Sequence, residues 1–214
     1  YAAAMHAGDT DLGRKAASMV TSPGWDGYTA LGATSVSVTM LLAVGVVMSW
    51  STGREFVDGT VVGLFAIPSR LGIIAAAKMA VVLTWATILG AVEAGALTTA
   101  GLLLGLGPEG AAGCCTALML VAALLGASVL PVMWAATRWR GYLAGIGLTL
   151  VILVVANLAA GFGLGSYVPW SIPIVWASHQ TEVSTPLLAT PVMTAAIGAW
   201  VTLRSWDRLQ LGAD

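Results

Sequence analysis

The feature that most constrains this sequence is a series of long apolar segments with almost no charged residues. Crossing the hydrocarbon core of a bilayer takes a helix of about 20 apolar residues, because each residue advances the helix by about 1.5 Å. Five segments reach or approach that length, and they are Thr29–Trp50, Ala75–Gly105, Cys114–Ala136, Tyr142–Gly165 and Leu187–Leu203. The sequence therefore predicts an all-α, polytopic transmembrane helix bundle that forms one domain over residues 1–214.

Composition indicates that lipid, rather than water, surrounds most of this protein. Charged residues make up only 9% of the chain and hydrophobic residues 58%, whereas about a quarter of the residues in an ordinary soluble domain are charged. So few charges cannot cover a water-soluble globule of 214 residues. The net charge of -1 also argues against nucleic acid as a partner.

The basic residues predict the orientation of the bundle. Seven of the nine lie on alternate connectors or beside them: Arg54, Arg70, Lys78, Arg138, Arg140, Arg204 and Arg208. Because basic residues concentrate on the cytoplasmic side, we predict a multi-pass protein of the bacterial plasma membrane with a cytoplasmic C-terminus. Residues 1–28 then form an extracellular segment, and we expect a sixth span upstream of Tyr1. The segment 166–186, rich in proline and tryptophan, predicts short interfacial or re-entrant pieces at the extracellular face.

The connector 51–70 contains a helix-start pattern between the first two spans. Thr52 followed three residues later by Glu55 is a capping box, and Pro68 stops a helix. Between them the apolar residues recur at helical spacing. This pattern predicts an amphipathic helix, Thr52–Ile67, at the cytoplasmic membrane face. From physics alone, a helix that binds a soluble partner and an idle interfacial helix remain equally open.

The same connector resembles a family motif. It reads Trp50-x3-Arg54-Glu55-Phe56-x2-Gly59-Thr60, then Leu64-Phe65-x-x-Pro68-Ser69-Arg70, then Lys78. This pattern resembles the first cytoplasmic loop of ABC-2-type transporter permeases, and is most similar to the six-span permeases of bacitracin- and lantibiotic-type export systems. The resemblance implies that the loop is a coupling helix that docks on a separate ATPase subunit. The residues it implies for ATPase coupling are Arg54, Glu55, Phe56, Asp58, Gly59, Thr60, Phe65 and Arg70.

The resemblance also implies the molecular assembly. The chain would be the permease subunit of an ATP-driven ABC exporter, paired with two ATPase subunits and a second permease, identical or homologous. Its cargo would be an antibiotic peptide, a drug or another amphipathic molecule. The sequence has no G-x4-G-K-[ST] phosphate-binding loop, so we expect ATP and Mg on the partner ATPase. We expect this chain to be no enzyme and to bind no cofactor itself.

Two polar residues within spans are candidates for a substrate path. Glu93 is costly in hydrocarbon and should face protein or a wet cavity, unless its span ends early and leaves it at the outer interface. Asn157 fits either a substrate path or, more readily, an interhelical hydrogen bond. We expect Arg70 and Lys78 to reach the inner lipid headgroups.

Two other classes of protein are less compatible with the residues. An ion-gradient-driven secondary transporter, the main alternative, predicts several embedded carboxylates and paired repeats, but the spans contain only Glu93 and no repeat. An intramembrane serine protease needs a serine and a histidine at matching depth. Ser128 lies within a span, whereas His6 and His179 lie in connectors, far apart, so no metal site is expected either. The adjacent Cys114 and Cys115 are interpreted as small apolar residues.

Overall fold

Helices dominate the computed structural model, which describes residues 24–178 and 183–209. Neither part contains a β-strand. The helices are α1 (Trp25–Val57), α2 (Val61–Leu64), α3 (Leu71–Leu103), α4 (Ala111–Ser128), α5 (Pro131–Arg138), α6 (Tyr142–Gly161), α7 (Ile172–Ser178) and α8 (Ala189–Asp207). One short 3-10 helix, Gly165–Tyr167, precedes α7, and a second, Thr185–Leu188, lies between α7 and α8. Five helical segments are long and apolar enough to cross a membrane, which confirms the predicted all-α polytopic bundle.

Some predictions fall on residues that the structure does not describe. These are most of the 1–28 segment, the histidines His6 and His179, and the expected span upstream of Tyr1. All of them lie outside the described residues.

Helix α1 forms the centre of the bundle and packs against α3, α4, α6 and α7. Its core side chains, among them Met40, Val44 and Met48, are completely buried. The approach of α6 is especially close, because a Cβ atom added at Gly145 would lie 2.5 Å from Ser49 Oγ. Small residues permit this backbone proximity, which favours helix association in a membrane.

The basic residues that the structure describes all lie at one end of the bundle. One end, called here the basic end, contains the seven basic residues that the structure describes, at the termini of α1, α3, α5 and α8. The opposite end, called here the acidic end, contains Asp26 and Glu109 and no basic residue among those described. This separation is the pattern that the positive-inside rule produces in membrane proteins.

The predicted span Cys114–Ala136 is broken into α4 and α5. Pro131 is the first residue of α5, where its missing N–H costs least. The side chain of Trp170 approaches this break and donates a hydrogen bond of 3.0 Å from Nε1 to the Ser128 carbonyl oxygen. Trp170 therefore packs against the core at this break. Its ring satisfies a carbonyl oxygen that the helix break leaves available. That segment 166–186 forms interfacial or re-entrant pieces stays a prediction.

Candidate functional site

The predicted helix Thr52–Ile67 is not present in the structure. Helix α1 continues without interruption past Trp50 to Val57. Thr52 is completely buried inside it, and its hydroxyl oxygen has no hydrogen-bond partner. The capping-box interpretation of Thr52 and Glu55 is therefore wrong, since a buried residue in mid-helix cannot act as an N-cap.

A tight turn follows α1. The backbone of Gly59 adopts φ +68°, a left-handed conformation that residues with a Cβ adopt only at a steric cost in free energy. The four-residue helix α2 comes next, and Arg70, in an extended conformation, precedes α3. The polypeptide between the two 33-residue helices α1 and α3 is thus a compact loop, residues 58–70, called here the basic-end loop.

The basic-end loop presents apolar side chains to its surroundings. None of the four residues of α2 is buried. Val62 is 57% exposed, Phe65 37% and Ile67 48%. Asp58 and Arg70 supply exposed charges at the two edges of the loop. Exposed apolar residues rimmed by charge are typical of a surface that another protein or the membrane interface covers.

Glu55 points inward, to the α3 helix. Its Oε1 atom lies 2.7 Å from Lys78 Nζ, and the two side chains are 15% and 22% exposed. Lys78 Nζ also donates a hydrogen bond of 2.8 Å to the Ser51 carbonyl oxygen. The expectation that Lys78 extends to the lipid headgroups is therefore wrong, because its ammonium group is already paired. The Glu55 carboxylate is likewise engaged within the chain.

Phe56 is the second implied coupling residue that faces the bundle. Its ring packs edge-on against Trp206, with ring centroids 6.3 Å apart. Trp206 is completely buried and donates from Nε1 to Thr137 Oγ1 over 2.9 Å. Next to it, Asp207 Oδ1 accepts the backbone N–H of Gly72 over 3.0 Å, at the start of α3. The ends of α1, α3, α5 and α8 are thereby joined at the basic end.

The other implied coupling residues lie on the surface. Their side chains or backbones are exposed, and they are Arg54, Asp58, Gly59, Thr60, Phe65 and Arg70. The Arg54 guanidinium lies over the Trp50 ring at 4.6 Å from its centroid. Arg54 is thus held beside the basic-end loop, while its charge stays accessible.

Sequence reasoning missed the contribution of Trp206, Thr137 and Asp207. One signal was available, since Asp207 is an acidic residue in the last turn of an apolar helix, where the helix dipole disfavours it. Such a residue needs a donor, and the structure supplies the free N–H at the start of α3.

Glu93 is half-buried on α3. Its helix continues to Leu103, and both alternatives, a position on the path and one at the outer interface, stay predictions. The Thr39 hydroxyl of α1 is hydrogen-bonded to the carboxyl group. The Oε2 atom of Glu93 is buried and has no hydrogen-bond partner. One oxygen of a carboxyl group on a helix long and apolar enough to cross a membrane is consequently unpartnered.

Asn157 is occupied by contacts within the chain. Its side-chain oxygen accepts from Ser37 Oγ at 3.3 Å, and its Nδ2 donates to the Leu153 carbonyl over 2.9 Å. The interhelical hydrogen bond expected for Asn157 is confirmed. Ser37 and Thr39 are two residues apart on α1, so they do not share a helix face. The structure therefore does not bring Asn157 and Glu93 together.

Comparison with known proteins identifies a family. The model of a family described as ABC-2 family transporter protein matches residues 12–156. The match includes the basic-end loop and Glu93. No curated protein matches the chain, and no solved structure matches it.

Proposed function

This chain belongs to the ABC-2 transporter family, and from that premise we propose that it is the permease subunit of an ATP-driven exporter. The family match covers more than half of the chain, and five apolar helices make the protein an integral membrane protein. Membership of this family implies association with an ATPase partner. Export, the ATP-driven step and the cargo are the finer parts of the proposal.

The main support for the proposal is the exposure of the basic-end loop. This loop joins two long helices of the bundle, and it presents Val62, Phe65 and Ile67 outward. A soluble ATPase subunit that buried these side chains would gain about 25 cal/mol for each Å² of apolar surface removed from water. The exposed charges of Arg54 and Asp58 would orient that partner.

The contacts beneath the loop would transmit movement to the membrane. Pairing of Glu55 with Lys78 joins α1 to α3, and Asp207 joins α8 to the start of α3. A force applied to the loop would therefore displace several helices together, because packed and hydrogen-bonded elements move as units. ATP binding by the partner would in this way open or close a path through the membrane.

The remaining parts of the proposal concern the assembly. Two ATPase subunits hold ATP and Mg, and a second permease, identical or homologous, completes the path. The basic end lies in the cytoplasm of a bacterium, following the positive-inside rule, and the C-terminus lies there too. The cargo is an antibiotic peptide, a drug or another amphipathic molecule. Glu93 is a candidate for the path because one carboxyl oxygen is unpartnered, and Asn157, whose side chain is hydrogen-bonded within the chain, is the weaker candidate.

The test is a pair of matched substitutions in the intact membrane complex. Phe65→Glu places a charge on the basic-end loop, and Phe162→Glu makes the same change at an exposed phenylalanine, 76% accessible, beyond the other end of α6. We expect Phe65→Glu to abolish copurification of the ATPase subunit, recognised by its ATP-binding loop, or to abolish the ATP hydrolysis that the permease stimulates in that subunit. Phe162→Glu should leave both unchanged. Equal effects of the two variants, or no effect of Phe65→Glu, would contradict the proposed docking surface.

A further inference from the structure

A cavity of about 450 Å³ opens at the acidic end of the bundle. Three helices form its walls: the first turns of α1 and α4, and the last turns of α7. The aromatic, polar and thiol side chains that line it are Trp25, Asp26, Thr29, Cys114, Thr116 and Trp176. Its volume lies in the range of small-molecule sites, about 300–1,000 Å³. A drug-sized molecule or one end of a larger molecule would fit, but a whole folded peptide would not.

The charged side chains that the structure describes at this cavity are negative. Asp26 is exposed, and its carboxylate has no ion-pair partner among the described residues. Glu109 adds a second exposed carboxylate next to Gly110, which lines the cavity. The N-termini of α1 and α4 oppose these charges, each with about half an elementary positive charge. Among the described residues, the carboxylate of Asp26 in the lining and that of Glu109 just outside it together outweigh the two half charges, which favours cations in the cavity.

The aromatic walls of the cavity favour the same class of ligand. Trp25 is held rigidly, because its Nε1 donates to the Gly107 carbonyl over 3.1 Å and its ring packs edge-on against Tyr28 at 5.8 Å. A Cβ atom at Gly110 would lie 2.7 Å from the Trp25 ring, so glycine is needed for this packing. Trp176, on α7, is half-buried and also lines the cavity. Tryptophan rings attract cations through their quadrupole and also accommodate an apolar body.

We propose that this cavity binds small hydrophobic cations, such as quaternary ammonium compounds, through Asp26, Trp25 and Trp176. The binding itself is a property of this chain alone. Its meaning for transport, that hydrophobic cations are a class of cargo, rests on the proposed function. The carboxylate supplies the charge complementarity, and the indole rings remove the apolar groups of the cation from water.

Cys114 allows the cavity to be probed directly. It lines the cavity, and only 4% of its surface is exposed. The full chain with Cys115→Ala, in nanodiscs and without nucleotide, is treated with 2-(trimethylammonium)ethyl methanethiosulfonate or with its anionic 2-sulfonatoethyl analogue. The reaction rate of each reagent at Cys114 is divided by its rate with free cysteine, which removes the difference in intrinsic reactivity between the two reagents. We expect the cationic reagent to be favoured at Cys114 by about five- to tenfold, the effect of one nearby charge in a partly aqueous site.

Matched variants locate the source of the preference. Asp26→Asn should bring the ratio close to one, whereas Glu109→Gln, which removes a charge outside the cavity lining, should change it less. Tetrapropylammonium should slow the reaction of Cys114 with uncharged methyl methanethiosulfonate, and Trp176→Leu should weaken this protection. The proposal is overturned by a wild-type ratio near one, by equal effects of Asp26→Asn and Glu109→Gln, or by a Cys114 thiol that neither reagent reaches. Because no ATPase takes part, such a result leaves the permease assignment intact, and failed ATPase copurification leaves the cavity result intact.

Discussion

The carboxylate of Glu55 and the ammonium of Lys78 are 2.7 Å apart, and this pair fastens the last turns of α1 to the second turn of α3. The pair lies directly behind the basic-end loop, and both side chains are largely shielded from solvent. Glu55 is therefore held within the chain through Oε1, while its Oε2 atom is buried and has no hydrogen-bond partner. We infer that it positions the loop, while exposed neighbours such as Arg54 and Phe65 make the contacts.

Removing one member of the Glu55–Lys78 pair should destabilise the protein. Glu55→Gln leaves the Lys78 ammonium with a weaker partner in a mostly buried site, at a cost of about 1–3 kcal/mol. Lys78→Gln should cost a similar amount. The measurement is unfolding in detergent, followed by the fluorescence of the nine tryptophans. The double variant should lose less stability than the sum of the single variants, and strict additivity would show that the two residues do not interact.

The Asp207 carboxylate should stabilise the start of α3. Asp207→Ala removes the acceptor of the Gly72 N–H, so we expect a loss of about 1 kcal/mol, as for other lost N-terminal caps. Asp207→Asn keeps an acceptor oxygen and should recover part of this loss. Hydrogen exchange at the Gly72 amide, measured by mass spectrometry, should accelerate more in the alanine variant. Identical exchange in the two variants would contradict the hydrogen bond.

Glu93 should tolerate the loss of its charge but not its reversal. Glu93→Gln keeps the shape and the contact with Thr39, so the folded bundle should be retained. Glu93→Lys places a cation at membrane depth beside apolar neighbours, at a cost of about 2.5–3.5 kcal/mol, and should reduce the folded protein recovered from membranes. If Glu93 lines the transport path, Glu93→Gln will lower transport by the intact complex at normal expression. Unchanged transport would remove Glu93 from the path.

The orientation of the bundle predicts which end reacts from outside the cell. Ser69 lies on the basic-end loop and Ser184 near the acidic end, and both are exposed. In a chain with Cys114→Ala and Cys115→Ala, an impermeant thiol reagent should label Ser184→Cys in intact cells but not Ser69→Cys. Both should be labelled after the cells are lysed. Labelling of Ser69→Cys in intact cells would reverse the assignment of the two faces.

The five membrane helices among the described residues were predictable from the sequence. A segment as long and apolar as Ala75–Gly105 forms a helix in lipid, because a helix satisfies the hydrogen bonds of its backbone within the segment itself. The interhelical bond of Asn157 followed from the same physics, because an amide in hydrocarbon must find a partner.

Local sequence patterns gave wrong predictions where contacts with a neighbouring helix determine the structure. Thr52 and Glu55 have the spacing of a capping box, but Thr52 is buried in mid-helix because packing keeps α1 continuous past Trp50. The pairing of Glu55 with Lys78 joins positions 23 residues apart across two helices. Trp170 likewise reaches the Ser128 carbonyl through a chain reversal that no local signal describes. Tertiary contacts of this kind are invisible to a pattern that covers one turn.

The turn between α1 and α2 offers a final test, because two glycines only four residues apart make opposite predictions. Gly59 has φ +68°, whereas Gly63 lies within the helix α2, and a Cβ atom at either position would meet no atom within 4 Å. Gly59→Ala should therefore be disfavoured by backbone strain alone, by about 1–2 kcal/mol. Gly63→Ala should be neutral or stabilising by up to about 1 kcal/mol, since alanine favours helix.

Both alanines add the same single methyl group to the basic-end loop, so a difference between them reports backbone conformation. Unfolding in detergent gives the stability of each variant, and ATP hydrolysis by the assembled complex gives the coupling. We expect Gly59→Ala to lower stimulated hydrolysis because the strained turn shifts α2 and Phe65 away from the partner. Gly63→Ala should retain it. If the two variants behave alike in both measurements, the left-handed turn at Gly59 does not determine the shape of the docking surface, and the loop adopts another conformation in the complex.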